Sequence, residues 1–159
     1  MGKGDPLTLV QRTLLSAVSA PAVVERAEID LGLGIGEAAR ITGVDIDMDI
    51  AMTASATEYG DCSVRFNPEG VSNPAEADDA FVYLRSRKQA GATPTINTSM
   101  HQYWPLEHQN LIAVKNLRIT CATAALVGDA PAFNASVCVY YEKFVPNAQQ
   151  LNELILYRR

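Results

Sequence analysis

From Val23 onward, hydrophobic and polar residues take turns along the chain. Ala27, Ile29, Leu31, Leu33 and Ile35 fall on one side of an extended segment, and Arg26, Glu28 and Asp30 fall on the other. Gly34, Gly36, Ala38 and Ala39 read as a turn. The alternation then resumes over residues 41–52, where Val44, Ile46, Met48, Ile50 and Met52 share a face. Together the two runs predict a long antiparallel hairpin. Val, Ile, Tyr, Phe and Thr are concentrated at 62–66, 81–87, 111–123 and 133–144, which predicts four more strands. In the last of these, Phe133, Ala135, Val137, Val139 and Tyr141 line one face.

Both ends of the chain depart from this period of two. Asp5-Pro6 is a sound helix start, because Asp caps free N–H groups and Pro loses nothing at the first helical position. Leu7, Val10, Leu14, Leu15 and Val18 have helical spacing, so a short helix is predicted over 6–19, stopped by Pro21. Pro146 opens a second candidate helix carrying Leu151, Leu154 and Ile155, although 154–157 also reads as strand. The stretches 67–79, 91–99 and 127–131 have the Gly, Pro, Asn and Asp content of loops. The expectation is one mostly β domain, with residues 1–21 as a helical arm and 22–159 as a β-sandwich.

Composition narrows what such a domain does. The 159 residues are 48% hydrophobic and only 19% charged, so the chain folds and its surface is rich in Ala, Thr, Asn, Gln and Ser. Such a surface suits contact with other protein. The net charge is −5, and Lys3 and Arg12 are the only cations in the first 25 residues, which disfavours direct nucleic-acid binding. Cys62, Cys121 and Cys138 follow no metal or redox spacing and read as reduced thiols. Gln11, Arg12 and Pro21 interrupt the apolar N-terminal segment. Neither a signal-peptide core nor a membrane span is therefore expected, and the cytoplasm is the expected place of synthesis.

Two segments carry candidate chemistry. Asp45, Asp47 and Asp49 alternate on one strand face, and the predicted hairpin sets Glu28 and Asp30 against them, a like-charge arrangement that needs relief. Solvent, a neighbouring subunit or a divalent cation would each supply it. The cation is the weakest of the three, because carboxylates spaced about 6.5–7 Å apart along a strand do not all reach one ion. His101-Gln-Tyr-Trp-Pro-Leu-Glu-His108 holds both histidines and the only tryptophan. Tyr103 and Trp104 either present a flat surface to a partner or ligand, or Trp104 plugs one end of the sandwich. No nucleophile elbow, phosphate loop or paired-histidine metal motif occurs, so no catalytic residue and no cofactor is assigned.

The C-terminal half carries a resemblance. Asn116-Leu-Arg-Ile-Thr-Cys121, the loop Gly128-Asp-Ala-Pro131 and Val137-Cys-Val-Tyr-Tyr-Glu-Lys-Phe144, followed by a short terminal segment, resemble the pattern of jelly-roll viral capsid and virion structural proteins. That resemblance implies a jelly-roll-like sandwich and a non-catalytic subunit that assembles with itself, and with other shell proteins, in a virion. The missing basic arm departs from capsid proteins that package bare nucleic acid. Leu7, Val10, Leu14, Tyr103 and Trp104 are the candidate contact residues. The alternatives are a β-barrel or sandwich module binding a small ligand or carbohydrate at the 103–104 and 67–79 loops, and a small β-fold enzyme.

Overall fold

A computed structural model describes residues 9–17, 22–52, 58–66, 80–88, 96–125 and 132–150. They form β1 (Leu9–Ala17), β2 (Ala22–Ile29), β3 (Ala38–Met52), β4 (Glu58–Arg65), β5 (Ala80–Lys88), β6 (Ile96–Pro105), β7 (Leu111–Ala113), β8 (Leu117–Ala125) and β9 (Ala132–Phe144). One sheet runs β1-β9-β3-β6, with the short β7 also paired to β3, and the other runs β2-β8-β4-β5. All pairings are antiparallel.

With β7 set aside, the order follows one rule. The first strand pairs with the last (β1 with β9), the second with the next to last (β2 with β8), then β3 with β6 and β4 with β5. This is a long hairpin rolled up so that successive pairs alternate between two sheets, which is the jelly-roll topology.

The inner faces form the core. Val44, Ile46, Met48, Ile50 and Met52 from β3 and Ala135, Val137, Val139 and Tyr141 from β9 face Cys62 and Val64 of β4, Val82 and Leu84 of β5, and Leu117, Ile119 and Cys121 of β8, all buried. A bulge at Thr42 explains how Ile41 and Val44 both point inward although three positions separate them. The register with β9 shifts between Ile41 and Gly43, and the extra residue resets the alternation. The freed Thr42 carbonyl accepts a hydrogen bond from the Leu106 amide at 2.9 Å.

Several expectations are corrected. Residues 9–17 are not helix but strand β1, paired with β9 from Leu9–Tyr141 to Ala17–Phe133. A lone helix of about this length is marginal in water, whereas the open edge of β9 offers a full ladder of hydrogen bonds. The predicted hairpin of 23–35 with 41–52 does not form, because β2 pairs with β8 and β3 lies in the other sheet. A period of two identifies a strand and its inward face, not its partner. The turn between them is confined to residues 30–37, where Gly32 and Gly36 adopt φ of 60° and 78°, while Ala38 and Ala39 are already buried in β3.

Residues 111–123 split into β7 and β8 around a bend at 114–115, and Asn116 there accepts a hydrogen bond from the Leu31 amide at 3.1 Å. Strand β6 takes in residues 96–99 of the predicted loop and the aromatic segment after it, while 91–95 lie outside the described residues. At the C-terminal side, residues 148–150 begin a helical turn. Asn147 and Gln150 cap it reciprocally, the Gln150 amide donating to Asn147 Oδ1 at 2.8 Å and the Asn147 amide to Gln150 Oε1 at 3.1 Å. Residues 151–157 of the candidate helix lie outside the described residues.

Candidate functional site

The outward face of the β1-β9-β3-β6 sheet gathers most of the singled-out residues. Cross-strand register sets β9, β3 and β6 in rows: Tyr140, Gly43, Pro105; then Cys138, Asp45, Tyr103; then Ser136, Asp47, His101; then Asn134, Asp49, Ser99, with Val10 of β1 beside Tyr140. The acidic stripe and the two candidates Val10 and Tyr103 thus share one sheet, although they are far apart in sequence. Leu14 takes a register position opposite Ser136, and Leu7 lies outside the described residues.

Towards the end of this face where β3 begins, two large apolar side chains are exposed beside the Arg40–Glu142 ion pair. Val10 is 55% exposed and Tyr103 43% exposed. Gly43 leaves a gap into which the Tyr103 ring lies. A Cβ at position 43 would stand 2.6 Å from the Tyr103 hydroxyl oxygen and 2.9 Å from a ring carbon. There Tyr103 meets Tyr140 edge-on, with ring centroids 6.0 Å apart. The glycine is what lets an aromatic from the edge strand reach across β3 to one on β9. Trp104, the next residue, points the other way and packs half-buried against the core opposite Val44. The pair therefore forms no common ligand surface, and the proposed mouth at 103–104 is not a loop.

Asp45 and Asp49 of the acidic stripe meet polar neighbours within their own sheet. Glu28 and Asp30 do not lie opposite the stripe, since β2 belongs to the other sheet. Instead His101 Nε2 sits 2.6 Å from Asp45 Oδ1, off the hydrogen-bonding direction, and the Ser99 hydroxyl donates to Asp49. Among the described residues no three His, Cys, Asp or Glu side chains come together as metal ligands.

A second cluster, on the outward face of β4 and β5, escaped sequence reasoning. Asp61 is fully buried and receives both arms of Arg85, Nε to Oδ1 at 2.6 Å and a terminal nitrogen to Oδ2 at 2.8 Å. The guanidinium lies 5.2 Å from the Tyr59 ring centroid and 5.6 Å from that of Tyr83. Burial pushes the Tyr83 hydroxyl well above its ordinary range, and the charge of Asp61 adds to this. The hydrogen bond to Asp61 holds Arg85 charged. The arrangement is a closed electrostatic clamp joining two strands, with both carboxylate oxygens already occupied. The only signal in the sequence was a buried-type strand interrupted by Asp, and no spacing rule links Asp61 to Arg85.

The strand order and the inward and outward faces together define the chain as a jelly-roll β-sandwich. No family model matches it, and no curated protein matches it in sequence. Solved virus structures are among those it is similar to in fold. Turnip yellow mosaic virus shares 10% identity over 91% of this chain and 99% of that chain, with a TM-score of 0.44. The infectious bursal disease virus VP2 subviral particle shares 12% over 87% of this chain and 37% of that chain, at 0.40. Dimeric latent PorU from Porphyromonas gingivalis shares 11% over 85% of this chain but only 13% of that chain, at 0.47. The fold assignment itself rests on the strand order of this chain.

Proposed function

We propose that this chain is a non-catalytic structural subunit that assembles with copies of itself into a shell of the capsid type. The observation that carries the reading is where large apolar side chains stand in the open. Ile35, at the tip of the β2–β3 turn, is fully exposed, and Val145, directly after β9, is 76% exposed. Both belong to one end of the sandwich, because the first residue of β3 pairs with the last of β9. Val10 and Tyr103 add to this on the outward face of the same sheet, in the half nearer that end. Single exposed apolar groups are ordinary on a monomer, but Ile35 and Val145 gathered at one end are what a neighbouring copy would cover. The jelly roll is also a fold from which capsid shells are built, although fold alone does not assign a function.

On this reading a virion is the destination and other shell proteins are secondary partners. The low count of cations in residues 1–25 leaves contact with the genome to another component. The double substitution Ile35→Asp, Val145→Asp tests the reading. Size-exclusion chromatography with light scattering should show large species for the parent chain and their loss in the variant, with the thermal midpoint unchanged because neither residue is in the core. Identical particle sizes for the two proteins would overturn it.

A further inference from the structure

The geometry points to Cys62 and Cys121 as a cross-strand pair that oxidises to a disulfide bridging β4 and β8. The two residues are direct partners in the antiparallel register, both are fully buried on the inner face, and their sulfurs are 3.1 Å apart. Directly opposed residues in antiparallel strands have Cα atoms about 4.5 or 5.5 Å apart, and both spacings fall within the range that disulfides span. Closing the bond brings the sulfurs to about 2.05 Å, a movement of roughly 1 Å shared between two side chains. Both cysteines stand in the apolar core beside the pair Val64–Ile119 and apart from Cys138, which lies half-buried on β9 in the other sheet. The fold selects one pair out of three thiols, which spacing in the sequence does not.

The oxidant is a small-molecule disulfide such as oxidised glutathione. One cysteine thiolate attacks a sulfur of that disulfide and expels one small thiolate. The other cysteine then attacks the protein-bound sulfur of the mixed disulfide and expels the second. Two protein S–H bonds and one small S–S bond are consumed, and one protein S–S bond and two small-molecule S–H bonds are formed. Because both sulfurs are buried, exchange proceeds when the sheet is open, during folding or a large opening. The finished bridge is shielded from reductant in the folded protein.

The test uses the full chain, unfolded and refolded in mixed reduced and oxidised glutathione, then blocked with N-ethylmaleimide in denaturant and mapped by mass spectrometry. The expected result is a Cys62–Cys121 linked peptide with Cys138 alkylated, and the same link in a Cys138→Ser variant. Bridging a loop of this length should raise the thermal midpoint by roughly 5–15 °C over the reduced protein. Alkylation of Cys62 and Cys121 to the same extent as Cys138, or a link from either of them to Cys138, overturns the assignment. Wild-type mapping alone decides it, so the result does not depend on a variant that folds poorly.

Discussion

Gly60 of β4 faces Ile50 of β3 across the core. A Cβ there would lie 2.5 Å from the δ1 methyl of Ile50, so the glycine is the hole into which Ile50 fits. Gly60→Ala should destabilise the protein by about 1–2 kcal/mol through overpacking, and adding Ile50→Val, which removes the clashing methyl, should recover part of that loss. A double-mutant cycle by urea denaturation measures it, and strictly additive losses would mean that the two sites do not touch. Tyr141 poses a different residue-scale question. Its hydroxyl donates to the Leu31 carbonyl at 3.1 Å, and burial, with the charge of Asp30 second, raises its pKa above the ordinary 10.0. The unfolded chain therefore loses this proton first, and the stability that depends on it is whole below pH 10 and falls as pH rises beyond. Tyr141→Phe should cost about 1 kcal/mol at pH 7, with the gap to wild type narrowing above pH 10. A gap that stays constant into alkaline solution would contradict the assignment.

Among the elements, β1 is where the structure most changes what a truncation should do. A helical arm would be removed at no cost to the fold, whereas β1 supplies a full strand on the free edge of β9. Deleting residues 1–17 should therefore lower the thermal midpoint followed by circular dichroism, by about 5 °C or more. An unchanged midpoint would mean that the segment is not part of the sheet. The strands at 41–52 and 133–144 were legible because each has a buried face, continuous over 44–52 and 135–141, where alternation is clean. β6 was not, because it sits at the sheet edge. Of its inward positions, Met100 and Trp104 meet the core while Gln102 between them is exposed. In β1, Val10 and Leu14, with Leu7 before them, satisfy a helical period, and long-range pairing with β9 overrides that local preference. Strand partners were illegible throughout, since side-chain alternation is the same whatever lies alongside. That is why the acidic stripe was assigned the wrong neighbours, and why the Asp61–Arg85 clamp and the Cys62–Cys121 pair stayed hidden. Val10 and Tyr103 were legible as surface candidates, yet only the fold places them on one face and turns Trp104 inward.

At the scale of the whole molecule, two rolled sheets close an apolar core, and the surface does the distinguishing. Exposed Ile35 and Val145 mark one end, Val10, Tyr103 and Tyr140 mark the adjoining sheet face, and the net charge is −5. On the proposed reading these features share one explanation, contact with further copies of the chain. Sedimentation velocity of the purified protein over a wide range of concentration and salt tests that claim most directly. Assembly predicts species far larger than the 17.2 kDa monomer, in a proportion that grows with concentration. A single boundary at monomer mass under every condition would contradict it.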